Sequence, residues 1–153
     1  GDPSADLLLV GEAPGQEEDL QGEPFVGRAG KLLDKILKAI GYTRDTNVFI
    51  TNIVKCRPPD NRDPLPSEVE ECSPYLNKQI ELIKPKLIVA LGKVAGKTLL
   101  KKDILLKEMR NETYYFKSIP LRVTYHPAAL LRNSSLKKEV WKDFQYIRDF
   151  IAS

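Results

Sequence analysis

"LLLVGEAPGQEED", Leu7 to Asp19, is the stretch on which the reading of the chain turns. Its four apolar residues, Leu7–Val10, make a buried-type strand, and Gly11, Pro14 and Gly15 punctuate a tight loop after it. A phosphate cradle would continue with further glycines and a lysine. Here the loop supplies Glu12, Glu17, Glu18 and Asp19 instead. Without the lysine and the Walker spacing, binding of a nucleoside triphosphate is disfavoured. Some other ligand must suit a loop shaped like a phosphate site and filled with carboxylates.

Working outward, strands and helices alternate. Leu32, Leu33, Ile36, Leu37 and Ile40 fall on one helical face, with Gly41 where a C-terminal cap belongs. "VFITNIV", Val48–Val54, is β-branched and strand-like. "RPPDNRDPLP", Arg57–Pro66, reads as an irregular loop, because its prolines exclude both regular structures. Ser67 and Glu70 form a capping box that predicts a helix running towards Ile83, stopped by Pro85. "KLIVAL", Lys86–Leu91, is a second buried-type strand, and Gly92 turns the chain into a short helix through Leu100. "TYYFK" and "LRVTY" read as a hairpin or as two further strands. Leu136, Val140, Phe144, Ile147 and Ile151 mark a last amphipathic helix. The order predicts a single three-layer α/β/α domain over residues 1–153 with a central, mostly parallel sheet. In such sheets ligands bind beyond the carboxyl ends of the strands. Three unusual segments follow predicted strands there: Gly11–Asp19, Lys55–Pro66 and His126–Asn133.

A chain of 153 residues with 42% hydrophobic and 29% charged residues can bury a sizeable core as one soluble domain. No apolar run approaches the roughly 20 residues of a membrane-spanning helix, and no signal peptide opens the sequence. A cytoplasmic protein with no membrane partner is therefore expected. The net charge of +3 is small but unevenly placed. Gly11 to Glu23 holds five acids and no base, whereas Lys84 to Lys117 holds nine Lys/Arg against three Asp/Glu. The basic stretch suits a nucleic-acid backbone and equally suits a solvated lysine-rich face. Two cysteines, Cys56 and Cys72, are too few for a closed metal site, and a cytosolic disulfide is disfavoured.

His126 is the one histidine of the chain and opens "HPAALLRN" straight after a strand. It reads either as a strand-end histidine satisfied by a backbone carbonyl or as a functional group. Leu130, Leu131 and Arg132 gather apolar side chains beside a cation in what reads as a loop. Exposed leucines there suit a wedge into a DNA base stack. Asn52 shares the apolar side of its strand with Val48, Ile50 and Val54 by alternation. It either bonds a neighbouring loop or offers a carboxamide donor and acceptor to a nucleobase edge. Phe25, in the glycine-punctuated "GEPFVGRAG", either plugs the core or stacks on a base. Carboxylate, amide, aromatic, histidine and leucine together suit holding a flipped base while a bond to sugar breaks.

Three motifs, "GEAPGQEEDLQGEPFVGRAG", "TNIVKCRPPDNRDP" followed by Cys72, and "HPAALLRN", resemble the family-four uracil-DNA glycosylases. These are the thermostable bacterial and archaeal branch of their superfamily. The resemblance runs through nearly the whole chain in the family's order. It implies a monofunctional hydrolase that removes uracil from DNA, single- or double-stranded, and leaves an abasic site. It implies that Phe25 stacks on the flipped uracil, Asn52 bonds its polar edge and His126 bonds its O2. It places Gly11, Glu12 and Ala13 against the base, Pro14 and Gly15 against DNA, and Leu130, Leu131 and Arg132 in the loop that enters the duplex. In the best-known branch an aspartate in the first loop positions the water, and Ala13 holds that place here. Glu12 and Glu18 are the favoured acids, while Glu17 and Asp19 equally suit helix-start charges.

The family also implies a 4Fe-4S iron–sulfur cluster on four cysteines, of which Cys56 and Cys72 match the second pair. The first pair is missing, so the chain reads as a shortened family member in which the cluster is incomplete or absent. No metal is expected in the chemistry itself. A monomer is expected, with a sliding clamp as a compatible partner. Two other function classes stand beside the enzyme: a module that binds uracil-containing DNA without excision, and a nucleotide-binding α/β protein unrelated to DNA.

Overall fold

Leu7–Gly11 (β1) is buried along its whole length, and so is Leu87–Leu91 (β3) beside it. Strands with both faces covered carry no polar alternation, which is why both read as unbroken apolar runs. The structure, a computed structural model, describes residues 2–12, 27–53 and 66–153, and of residues 66–73 the helical backbone alone. Val48–Asn52 (β2) pairs parallel with the other side of β1, and Ile119–Thr124 (β5) pairs parallel with β3. Tyr114–Phe116 (β4) closes the edge antiparallel to β5. The sheet order is β2-β1-β3-β5-β4.

Alternation along the central strands divides the core in two. Leu7, Leu9, Val48, Ile50, Leu87 and Val89 face helices Arg28–Ala39 (α1), Pro127–Arg132 (α5) and Lys137–Ala152 (α6). Leu8, Val10, Ile88, Ala90, Leu121 and Val123 face Pro66–Ile83 (α2), Lys93–Leu100 (α3) and Leu106–Met109 (α4). The three-layer α/β/α arrangement expected from the order of elements is thus the observed one. Gly41, at φ +85°, ends α1 as expected, with its N–H donating to Lys38 O at 3.0 Å.

Two local expectations are corrected and one open choice is settled. The α2 helix begins at Pro66, ahead of Ser67, so Ser67 lies inside the helix rather than capping it. Proline's fixed φ suits a first helical position, where its missing N–H costs nothing. The two readings of the aromatic segment resolve to a hairpin, turned through Lys117 and Ser118 at φ +50° and +70°. That is a primed turn built without glycine or asparagine, so the usual signal for it is missing from the sequence. Finally, the "HPAALLRN" segment is not a loop. Residues 127–132 form α5, with Pro127 at its first turn.

Candidate functional site at the carboxyl edge of the sheet

The parallel strands end in a row. In sheet order their last residues are Asn52, Gly11, Leu91 and Thr124, followed by Ile53, Glu12, Gly92 and, two residues on, His126. Gly11 stands opposite Asn52 in register, and its carbonyl accepts the N–H of Ile53 at 2.8 Å. The Gly92 N–H donates to Thr124 O at 2.9 Å, which locks the ends of β3 and β5 together. Two side chains able to bond a ligand, Asn52 and His126, therefore flank one strand that ends in glycine, β1, and one that glycine follows, β3. With strands about 4.8 Å apart, β2 and β5 stand roughly 14 Å from one another across that glycine floor.

Asn52 is 6% exposed, and by strand alternation it lies on the α1/α5/α6 side of the sheet. Neighbouring Thr51 points the other way, donating to Gln79 Oε1 on α2 at 2.8 Å. His126 caps α5: its Nδ1 accepts the Ala128 N–H at 3.0 Å. A nitrogen that accepts cannot also carry the proton, so the neutral ring bears its hydrogen on Nε2. Protonating Nδ1 as well would set N–H against N–H and break the cap. The imidazole is thus held as a directed Nε2–H donor. Glu12, half-buried, follows Gly11 directly.

Gly92 was legible only as a turn, and its larger part in the site went unread. Its φ is +96°, and a Cβ there would stand 3.2 Å from His126 Cβ. The absent side chain lets the histidine pack against the end of β3. The only hint was that this glycine follows its strand as Gly11 ends the first.

A second group missed by sequence reading gathers at Thr124 and Tyr125, the two residues before His126. Asp143 on α6 accepts two bonds from Arg110, Nε at 3.0 Å and Nη2 at 2.9 Å, and one from the Thr124 hydroxyl. Hydrogen bonding to Asp143 holds the Arg110 guanidinium above its ordinary value, against the opposing effect of desolvation. The same guanidinium lies 5.0 Å over the Tyr125 ring.

Of the other predicted site residues, Leu131 is 41% exposed at the surface of α5, and Arg132 beside it is exposed. Leu130 is a correction. It is 2% exposed and packed into the core with Leu33 and Phe144, so it anchors α5 instead of facing outward. Ala13, Pro14, Gly15, Glu18, Phe25 and Cys56 lie outside the described residues, as does the side chain of Cys72 on α2. Among the described residues no helix is long and apolar enough to cross a membrane.

The fold and site first define a class: an open α/β protein whose binding crevice opens at the carboxyl ends of its parallel strands. Within that class the chain belongs to the uracil-DNA glycosylase superfamily, whose family profile, described as "Uracil DNA glycosylase superfamily", matches residues 1–145. It is 48% identical to a type-4 uracil-DNA glycosylase of Sulfurisphaera tokodaii, over 97% of this chain and 71% of that protein. It is 44% identical to type-4 uracil-DNA glycosylases of Archaeoglobus fulgidus and Thermotoga maritima. Those matches cover 96% and 95% of this chain and 77% of each relative.

Proposed function

We propose that this chain is a uracil-DNA glycosylase, which receives uracil flipped out of DNA and hydrolyses its N-glycosidic bond to leave an abasic site. The observation that carries the reading is the placing of Asn52 and His126 on either side of the ends of β1 and β3, where Gly11 and Gly92 stand. The Asn52 carboxamide bonds one polar edge of the base, its oxygen accepting from N3–H and its amide donating to O4, whereas cytosine presents the reversed pattern at those two positions. His126 donates through Nε2–H to the uracil O2. Phe25 covers the face of the base, and Gly11, Glu12 and Ala13 line it through their backbone.

In the reaction, water adds to C1′ and the electron pair of the C1′–N1 bond leaves with uracil as an anion. The water proton passes to a carboxylate of the first loop, Glu12 or Glu18. Charge develops on the base, so a fixed donor at O2 stabilises the transition state more than the bound substrate. Pro14, Gly15, Leu131 and Arg132 contact the DNA, with Leu131 filling the space the base vacates. Phosphate contacts supply most of the affinity.

Cys56 and Cys72 supply two soft thiolates, which suit two of the four ligand positions of a 4Fe-4S cluster. The 153 residues hold no other cysteine, so they fit half of such a site. A cluster held there would anchor the chain at Cys56 and Cys72, on either side of Arg57–Pro66 in the sequence, a structural role.

The test is uracil release from a labelled oligonucleotide in EDTA, with abasic sites read by alkaline strand cleavage. Wild-type release that falls about 100-fold or more in Asn52→Ala, with DNA affinity within a few-fold, is the expected result. Equal release by the two proteins would remove Asn52 from base reading. Tight binding of uracil-containing DNA without any release would replace the enzyme by a binding module.

A further inference from the structure

The cluster of Arg110, Asp143 and Thr124 takes in the last residue of β5 and touches the next, so it meets both residues that precede His126. Thr124 is 1% exposed, Asp143 8% and Arg110 9%. Thr124 is gripped twice, its hydroxyl donating to Asp143 and its carbonyl accepting from Gly92. Tyr125 is covered by the guanidinium. Arg110 is fixed in turn by both Asp143 oxygens and by a bond from Nη2 to Glu139 O at 3.3 Å. A buried ion pair is poor evidence of stabilisation, because desolvation offsets its attraction and apolar residues could fill the same space. What it does provide is direction. A bidentate guanidinium–carboxylate pair has one geometry, and here it joins the α4 end, α6 and the end of β5.

We propose that Thr124, Asp143 and Arg110 are positioning residues for His126. They hold the end of β5 so that Nδ1 meets the Ala128 N–H and Nε2–H is aimed at the leaving group. The proposal rests on the reading of His126 as the donor to uracil. Losing the Thr124 hydroxyl removes one of the two holds on the strand end while leaving the Arg110–Asp143 pair intact, so Thr124→Val tests the link without stripping a buried charge. Removing Asp143 itself would leave Arg110 buried and unpaired, and the chain could unfold.

Because His126 is the sole histidine, a long-range proton–nitrogen NMR spectrum of the chain contains one imidazole. Wild type should show the neutral Nε2–H tautomer. Thr124→Val should show averaging with the other tautomer, and Thr124→Ser should restore the wild-type pattern. Single-turnover uracil release should fall about 10-fold or more in Thr124→Val and recover in Thr124→Ser, consistent with the cost of a misplaced group. Duplex binding should stay within two-fold in both. An unchanged imidazole spectrum and an unchanged rate in Thr124→Val would overturn the proposal. So would a rate loss that Thr124→Ser fails to recover, since that marks general damage to the fold. If even wild type releases no uracil, the functional reading fails by itself. The imidazole spectra then still decide whether the cluster orients His126.

Discussion

At Gly92 the backbone takes φ +96°, a conformation that side chains with a Cβ rarely adopt. The missing Cβ also lets His126 approach the end of β3. One residue thus meets two demands, a sharp exit from the strand and a close contact with the catalytic candidate. Gly92→Ala should cost about 1–3 kcal/mol in backbone strain and displace the imidazole by a few tenths of an ångström or more. The expected outcome is a modest fall in the urea midpoint beside a drop in single-turnover uracil release of about 10- to 100-fold. A rate that falls only as far as the folded fraction would show that His126 tolerates the shift. Asn52, by contrast, announced itself. A poor strand former on the apolar side of a strand needs a reason to be there, and the register with Gly11 supplies one.

Among the elements, α5 combines the most functions in the fewest residues. Within one and a half turns it holds a capping histidine, a core leucine and an exposed leucine. Adjacent leucines in a helix point about 100° apart, so Leu130 and Leu131 separate into anchor and contact. Leu130→Ala should lower stability by about 2–5 kcal/mol, as core truncations do. Leu131→Ala should stay within about 0.5 kcal/mol of wild type and yet slow uracil release from duplex more than from single strands. Denaturant melts and paired assays on both substrates check this; equal loss on the two substrates would remove the wedge. Six residues beginning with proline are too short to show a helical period, which is why this segment read as a loop. The β4–β5 turn was ambiguous for a related reason. Lys117 and Ser118 adopt positive φ without the residue types that advertise it. Long apolar runs such as Leu7–Val10 and the period of α6 were legible because burial on a sheet or helix face dictates them directly.

Across the whole molecule, the sheet is a partition between two cores, each with its own set of helices. On one side the seal is α6, whose Val140, Phe144, Ile147 and Ile151 are all buried against the strands. Phe144 is 1% exposed, and Phe144→Ala should remove about 3–5 kcal/mol. That is a large share of the roughly 5–15 kcal/mol that holds a domain together. Equilibrium urea unfolding should show the midpoint fall with a similar slope. A changed slope would mean that the two cores no longer melt together. The layer architecture could be foreseen from the order of strands and helices. The Arg110–Asp143–Thr124 cluster could not, because it joins positions far apart in the chain whose meeting depends on which strand lies beside which.

The strand order β2-β1-β3-β5-β4 has a consequence for the moment of synthesis. Gly11 and Asn52 are neighbours that can pair early, as the chain leaves the ribosome. The strand that delivers His126 must join the far side of β3, and the helix that steadies it, α6, is read from the messenger later still. The two proposed halves of the crevice, base reading and leaving-group support, are therefore made at different times and come together only when β5 pairs with β3.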